Sequence, residues 1–216
     1  MPAQPTHSLA VQGHGGNPRY VIQNYLDGLP ELGDLSLIRG NAPASVKRLV
    51  KNVFDAYGVG KAGCFASSVG ESVRLVEVSA KGYRQPLGPV EPKERVEAST
   101  VAEVVISPEM LNRAGILHGG CIAYLIDICC ATPLVVLGHV QGKNGLGVTQ
   151  NMNISYHAPV SLGATIEIVS HSVAMGSRVM NSRCEVIEKG SGRIIASGTL
   201  NKMQPREEDS TQKVRL

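Results

Sequence analysis

Hydrophobic side chains change their spacing several times along this chain of 216 residues. In residues 44–58 they lie three and four positions apart, which predicts a surface helix that stops at Gly58. Alternation with a period of two then predicts strands at 72–78 and 95–106. Four further runs predict strands in the second half of the chain: 147–156, 164–174, 178–188 and 193–203.

Between these groups of strands, residues 119–138 are hydrophobic on almost every side. The segment is about as long as a membrane span, but Asp127 lies in its middle and Pro133 near its end. A charged residue at the centre of a membrane helix costs roughly 2.5–3.5 kcal/mol on insertion scales. Because the sequence shows no second segment of this kind, we interpret it as a helix buried inside the protein and expect no membrane span.

The order of these elements predicts an α+β fold in which an antiparallel sheet curls around the buried helix. The last four strands are expected to form a meander with short turns, and its open last strand to pair with a second subunit. We divide the chain into an N-terminal extension at 1–65, a core domain at 66–204 and a disordered tail at 205–216. The extension consists of an arm rich in Gly and Pro followed by the surface helix.

Composition excludes several classes of function. With 43% hydrophobic residues, 18% charged residues and a net charge of +3, the chain lacks the basic excess of a nucleic-acid-binding protein. Its five cysteines show no C-x-x-C spacing, so we expect neither a disulfide framework nor a zinc site. The N-terminus resembles neither a secretory signal nor an Arg-rich presequence, which favours the cytoplasm; mitochondrial or peroxisomal localisation is the alternative.

The start of the buried helix carries the candidate chemistry. His118 is followed by Gly119 and Gly120 where a strand-like run ends and the helix begins. The first turn of a helix has N–H groups without intrahelical acceptors and a partial positive charge, which suits a carbonyl oxygen or an anion. Asp127 follows two turns later, and residue types alone leave a functional and a buried structural role equally open for its carboxylate.

These residues and the strand that follows them resemble the hotdog-fold acyl-CoA thioesterases, and within them the PaaI and thioesterase superfamily member 2 group. The resemblance covers residues 97–203. It rests on Asn112, the His-Gly-Gly triplet and Asp127 nine residues after the His, together with the V-T-Q-N-M-N strand at 148–153. A second His-Gly-Gly triplet at 14–16 has no apolar helix behind it, so the triplet alone is a weak signal.

The resemblance implies a role for each matched residue. Asp127 would be the general base or nucleophile toward the thioester, and the N–H of Gly119 would donate to the oxyanion. Asn112 and His118 would hold the thioester and its leaving group, and Thr149 would position the attacking water. The resemblance also implies a site between two subunits, with the Asp supplied by the partner, in a homodimer or a homotetramer formed as a dimer of dimers.

The expected function is therefore hydrolysis of an acyl thioester, most simply an acyl-CoA in lipid metabolism. CoA would be present only as part of the substrate, and we expect neither a metal nor a redox cofactor. Two alternatives remain open: an enzyme acting on a carrier-bound thioester of the polyketide type, and a module that binds acyl-CoA without turnover. His118 is also compatible with a turn cap, and Thr149 with an ordinary strand position. Pro133, expected to kink or shorten the helix, and the bulky Tyr124 depart from the family pattern and bear on the preferred acyl group.

Overall fold

The structure, a computed structural model, describes residues 34–82 and 95–204. Its helices are α1 (Ala44–Ala56), α2 (Ser67–Glu71), a 3-10 turn (Pro108–Met110), α3 (Gly119–Cys130) and α4 (Thr132–Val140). Its strands are β1 (Arg74–Lys81), β2 (Glu97–Val105), β3 (Val148–Tyr156), β4 (Thr165–Met175), β5 (Val179–Glu188) and β6 (Ile194–Met203). Most of the predicted arm and the whole predicted tail lie outside the described residues.

The six strands form one antiparallel sheet in the order β1-β2-β4-β5-β6-β3. The predicted four-stranded meander is therefore wrong, because β3 pairs with β6 and not with β4. The connector at 157–164 is too long for a tight hairpin, and its backbone forms hydrogen bonds with residues outside β3 and β4. Leu117 N–H donates to Val160 O at 2.9 Å, and His157 N–H donates to Ile195 O at 2.8 Å.

This strand order decides which edge of the sheet is open. Residues 39–42 run beside β1, where Arg39 N–H donates to Val76 O at 2.9 Å and Ala42 N–H to Val78 O at 3.2 Å. At the other end, the outer edge of β3 pairs with no strand among residues 34–82 and 95–204. The unpaired edge is thus that of β3, and not that of the last strand in the sequence as predicted.

The central helix lies inside the curve of the sheet and is interrupted once. Thr132 Oγ1 donates to Cys129 O at 2.7 Å where α3 gives way to α4 at Ala131. Pro133 lies in the first turn of α4, where the N–H that proline lacks has no intrahelical acceptor in any case. Pro133 was expected to kink or shorten the helix. The structure shows one break, at Ala131, after which the helix continues as α4.

Taken together, Gly119–Val140 is 22 residues long, with a mean hydropathy of 2.0 in its most apolar window, and by length and composition could cross a membrane. However, 67% of that window is buried within the protein. Leu125, Ile126 and Leu134 are fully buried against the sheet and its surroundings. These properties are those of a core helix.

Helix α1 confirms the predicted surface helix and ends two residues before Gly58. Its apolar stripe of Val46, Val50 and Val53 is buried against α4 and β1 and forms a second part of the core. Gly58 has φ +70°, a conformation that disfavours other residues, and begins the loop that carries the chain from α1 toward α2. This packing places the end of α1 close to α3.

Candidate active site

The N-terminus of α3 is closed by the residue that precedes it. His118 Nδ1 accepts the N–H of Gly120 at 2.8 Å, so the imidazole caps the helix. When the ring is neutral, this bond leaves its proton on Nε2. The N–H of Gly119, in contrast, donates to no acceptor among residues 34–82 and 95–204. The cap therefore leaves one first-turn N–H available to an oxygen of a bound molecule.

Tyr156, at the end of β3, lies beside this free N–H group. Its hydroxyl donates to Gly119 O at 3.1 Å, and its ring lies 3.5 Å from the position that a Cβ on Gly119 would take. Sequence reasoning assigned Tyr156 no role, although it ends the strand that carries the family resemblance. The structure places it in the wall of the candidate oxyanion site.

Asn112 shapes the loop that leads into the helix. Its Oδ1 accepts the N–H of Ala114 at 2.9 Å and of Ile116 at 3.4 Å, and its own N–H donates to Ile116 O at 2.8 Å. The Nδ2 group of Asn112 donates to no residue in the described part of the chain. Asn112 thus holds the turn before His118 and retains a free amide donor.

Asp127 and Thr149 are in direct contact. Thr149 Oγ1 donates to Asp127 Oδ1 at 2.7 Å, from β3 to the third turn of α3. The contact depends on a β-bulge. Because Met152 and Ile154 face inward, a strand with regular alternation would turn Gln150, and not Thr149, toward the helix. The register shift between residues 149 and 151 turns Thr149 inward in its place.

A cavity of about 660 Å³ opens beside this pair. Its walls are mostly apolar and come from α1 and its loop, from α3 and from β3; Val53, Phe54, Tyr57, Val59, Phe65, Tyr124, Ile128, Val148 and Met152 are among them. Phe65 packs edge-to-face on Tyr124, with 5.7 Å between ring centroids. The bulky Tyr124 therefore helps to close the cavity, and the N-terminal extension supplies part of its wall.

Lys202 of β6 brings a positive charge into the same cavity. Its side chain is 7% exposed, and its Nζ lies 5.3 Å from the centroid of the Tyr57 ring. Burial lowers the pKa of Lys202 below its usual value, and the negative charge of Asp127 acts in the opposite direction. The sequence analysis did not identify Lys202. Alternation in β6 could have indicated that its side chain points inward, because Ala196 and Leu200 lie on the same face of the strand and are buried in the core.

The candidate residues fall into two groups within one chain. Asp127 and Thr149 lie at the cavity, whereas Asn112, His118 and the free N–H of Gly119 lie at the beginning of α3. Asp127 follows Gly119 by eight positions, which correspond to about 12 Å of helix. One thioester carbonyl in contact with both groups of the same chain is therefore excluded by geometry.

Comparison with known proteins gives this arrangement its context. The family model of the thioesterase superfamily matches residues 114–195, which span α3, α4 and the strands β3, β4 and β5. This part of the chain is similar to the thioesterase superfamily.

Individual proteins that are similar to this chain are named as thioesterases. Human acyl-coenzyme A thioesterase 13 is 27% identical over 135 residues, which are 61% of this chain and 94% of that protein. Zebrafish thioesterase superfamily member 2 has 21% identity and a TM-score of 0.54, with 72% of this chain and 98% of that chain covered. Its mouse counterpart has 24% identity and a TM-score of 0.51, with 70% and 96% covered. These comparisons confirm the predicted hotdog fold.

The role of each matched residue stays a prediction, to which the structure adds geometry. His118 serves as the cap that residue type alone made plausible, while its Nε2 remains free of described partners. The cysteine of the helix start is a poor rival nucleophile. Burial, with a smaller contribution from the charge of Glu109, raises the pKa of Cys121 to about 11, so it stays a neutral thiol near pH 7.

Proposed function

We propose that this protein is a thioesterase that hydrolyses an acyl-CoA to the free acid and CoA. The observation that carries the proposal is the carboxylate of Asp127, held by Thr149 at the wall of a largely apolar cavity. The match of residues 114–195 to the thioesterase superfamily model and the similarity to a human acyl-coenzyme A thioesterase support the reaction class. The apolar walls suit an acyl chain, and no metal or redox cofactor takes part in the proposed reaction.

The proposed chemistry uses water as the nucleophile. Asp127 accepts a proton from water as its oxygen attacks the thioester carbonyl carbon, and the negative charge that develops on the carbonyl oxygen is stabilised by the N–H of Gly119. Collapse of the tetrahedral intermediate breaks the C–S bond, and the proton held by Asp127 passes to the departing thiolate. Asp127 returns to its ionised form, so the cycle is balanced. The free amide of Asn112 and the Nε2 of His118 are available to the carbonyl and the leaving group.

This chemistry requires two copies of the chain. Because about 12 Å of helix separates Gly119 from Asp127, the oxyanion donor and the carboxylate must come from different subunits. The unpaired edge of β3 carries Thr149 and Tyr156 and is a suitable surface for a second copy. We therefore propose a homodimer, alone or within a dimer of dimers, with two equivalent sites between its subunits.

The test is release of free thiol from short, medium, long and aryl acyl-CoAs, measured for wild type and Asp127→Asn. Asp34→Asn makes the same change at an exposed carboxylate and serves as the control. We expect turnover that falls by ~10²–10⁴ in Asp127→Asn and is unchanged in Asp34→Asn. Binding of a thioether analogue of acyl-CoA, measured by calorimetry, should be similar for all three proteins.

Two results would contradict the proposal. Wild-type protein that binds the thioether analogue and hydrolyses no member of the panel would be a binding module. Turnover of an acyl group only when it is attached to a carrier protein would replace CoA with a carrier-bound substrate.

A further inference from the structure

Lys202 has unusual surroundings for a lysine. It is 7% exposed, and none of the hydrogen bonds or ion pairs formed among residues 34–82 and 95–204 includes its amine. Its Nζ lies over the ring of Tyr57, 5.3 Å from the centroid, and both residues line the cavity. Lysine is rarely buried without a partner, because removing an ammonium from water is costly. A buried donor of this kind in a cavity wall indicates an acceptor on the molecule that the cavity binds.

The other side-chain O–H donors of the cavity wall already have a place. Thr149 donates to Asp127 Oδ1 at 2.7 Å, and the hydroxyl of Tyr57 donates to Gly147 O at 3.5 Å. The hydroxyl of Tyr124 lies beside α2, which does not line the cavity. Among the described residues of this wall, the lysine is therefore the side chain whose N–H groups remain available to a ligand.

The walls around this donor are mostly apolar, and this restricts the group that it suits. A plain hydrocarbon chain would leave the amine of Lys202 buried against carbon without an acceptor. A carboxylate has about four acceptor positions and would turn most of them toward apolar side chains. A single hydroxyl or keto oxygen matches a single amine. The match holds for the ammonium and for the neutral amine, because both carry N–H donors.

The register of the sheet relates Lys202 to the candidate catalytic pair. Lys202 is the direct cross-strand neighbour of Thr149, and side chains at such positions start about 4.5–5.5 Å apart. Thr149 in turn donates to Asp127 Oδ1, and all three residues line the cavity. With the thioester carbonyl of a substrate at Asp127 and its acyl group in this cavity, the lysine borders the acyl group.

We propose that Lys202 is a specificity-determining residue whose amine donates a hydrogen bond to a hydroxyl or keto oxygen on the acyl group of the substrate. The inference rests on the proposed function and names its substrate class, oxygenated acyl thioesters in preference to plain fatty acyl thioesters. Tyr57 holds the amine at the cavity wall, which gives the N-terminal extension a part in substrate choice. Both residues lie outside residues 114–195, so the family match does not imply this preference.

The first test asks whether the amine of Lys202 contributes to the fold. Lys202→Met keeps the length of the side chain and removes an amine that has no described partner. We therefore expect the variant to unfold at the same urea concentration as wild type or at a higher one. Lys143→Met makes the same change at an exposed site and serves as the control. A clear loss of stability confined to Lys202→Met would show that the amine is structural and would overturn the proposal.

The second test measures binding and does not require turnover. Calorimetry compares thioether analogues of octanoyl-CoA with its 3-hydroxy, 3-oxo and 8-hydroxy derivatives and with octanedioyl-CoA. We expect wild type to bind a hydroxy or oxo analogue roughly tenfold or more tightly than the octanoyl analogue, and Lys202→Met to bind the two within about twofold of each other. The Kd of the octanoyl analogue should be similar in both proteins.

Three further variants narrow the assignment. Lys202→Arg retains N–H donors and should keep a preference for the oxygenated analogue. Tyr57→Leu removes the ring beneath the amine and should weaken the preference. Lys143→Met should bind all analogues as wild type does. The same pairs of substrates, compared by kcat/KM in the thiol-release assay, should show the same preference and the same loss.

The outcomes separate this inference from the proposed function. A preference that is absent in wild type, or that persists in Lys202→Met, overturns the role of Lys202 even if thioesters are hydrolysed. A preference that disappears in Lys202→Met, in a protein without turnover, supports the acyl receptor and contradicts the thioesterase. An equal loss of affinity for every analogue would assign Lys202 to the CoA portion or to the fold, and a preference for the octanedioyl analogue alone would assign it to a carboxylate; either result overturns the proposal.

Discussion

Thr149 Oγ1 donates a 2.7 Å hydrogen bond to Asp127 Oδ1, from the strand at the open edge of the sheet to the third turn of the central helix. The bond fixes one carboxylate oxygen of a residue that lines the cavity. It also joins the residue that would activate water to the strand on which we expect a second subunit to dock. Catalysis and assembly would therefore depend on the same strand.

Replacing Thr149 tests this contact. Thr149→Val keeps the shape of the side chain and removes the donor, so Asp127 loses a hydrogen bond to its charged form. The carboxylate is then no longer held in one orientation toward the water that it activates, and misplacing a catalytic group in this way predicts a fall in kcat of roughly 10- to 100-fold with little change in KM. Thr149→Ser retains the donor and should stay within a few-fold of wild type in steady-state kinetics. A Val variant with wild-type kcat would show that the hydrogen bond from Thr149 has no part in catalysis.

The cap formed by His118 predicts an effect on stability that is separate from catalysis. His118→Ala removes the acceptor for the N–H of Gly120 and should lower the free energy of unfolding by about 1 kcal/mol. His118→Asn supplies another cap acceptor and should recover most of that loss in urea unfolding. Equal stability of the Ala variant and wild type would show that the cap contributes nothing.

Glu103 predicts how stability depends on pH on the outer side of the sheet. Its side chain is 8% exposed and pairs with Lys189, and with Arg74 at 3.1 Å. The hydrogen bond from Lys189 and the charges of both partners hold the pKa of Glu103 below its usual 4.5, against the opposing effect of burial. Because the pKa is lower in the folded state, this stabilisation is present above the unfolded value and is lost as the pH falls through the folded value.

Glu103→Gln removes the charge while keeping the size of the side chain. We expect the variant to be less stable than wild type in urea unfolding near neutral pH, and the difference to shrink as the pH falls below about 4. A difference that stays constant over this range would indicate that packing, and not the ion pairs, accounts for the loss.

Gly119 permits removal of a single backbone donor. It is the first residue of α3, a position where proline is favoured, and His118 before it has φ −69° and ψ 134°, which suit a residue preceding proline. Gly119→Pro deletes the N–H and should lower kcat by ~10²–10³ with the helix retained. Gly119→Ala keeps the N–H, and its Cβ meets the Tyr156 ring at an ordinary 3.5 Å, so turnover should be largely preserved. Circular dichroism checks that the helix is intact in both variants.

The sequence sufficed for α1, the central helix and the strands, because their hydrophobic spacing is a local signal, and the strand bounds agree within one or two residues from β2 onward. It gave no sign of the short helix α2 or of the 3-10 turn. It did not suffice for the strand order. The connector at 157–164 bonds to Leu117 and Ile195, and these long-range contacts leave no mark on the local pattern. The meander was therefore predicted where β3 crosses to β6.

The candidate site shows the same division between local and long-range information. Asp127, His118 and Gly119 belong to one motif and could be identified from it. The β-bulge that turns Thr149 inward in place of Gln150 depends on pairing between distant strands. Alternation in β6 could have indicated that Lys202 points inward. That it lies in the same cavity as Asp127 follows only from the strand order, which the sequence did not provide.

The central claim is that each site combines Asp127 of one subunit with the helix N-terminus of another. The most direct measurement uses heterodimers of Asp127→Asn and Gly119→Pro, isolated by two affinity tags from one co-expression. Each variant alone should be inactive, whereas the heterodimer restores one intact site and should show about half of the wild-type turnover per dimer. A heterodimer as inactive as its parents would place the site within a single chain and contradict the account.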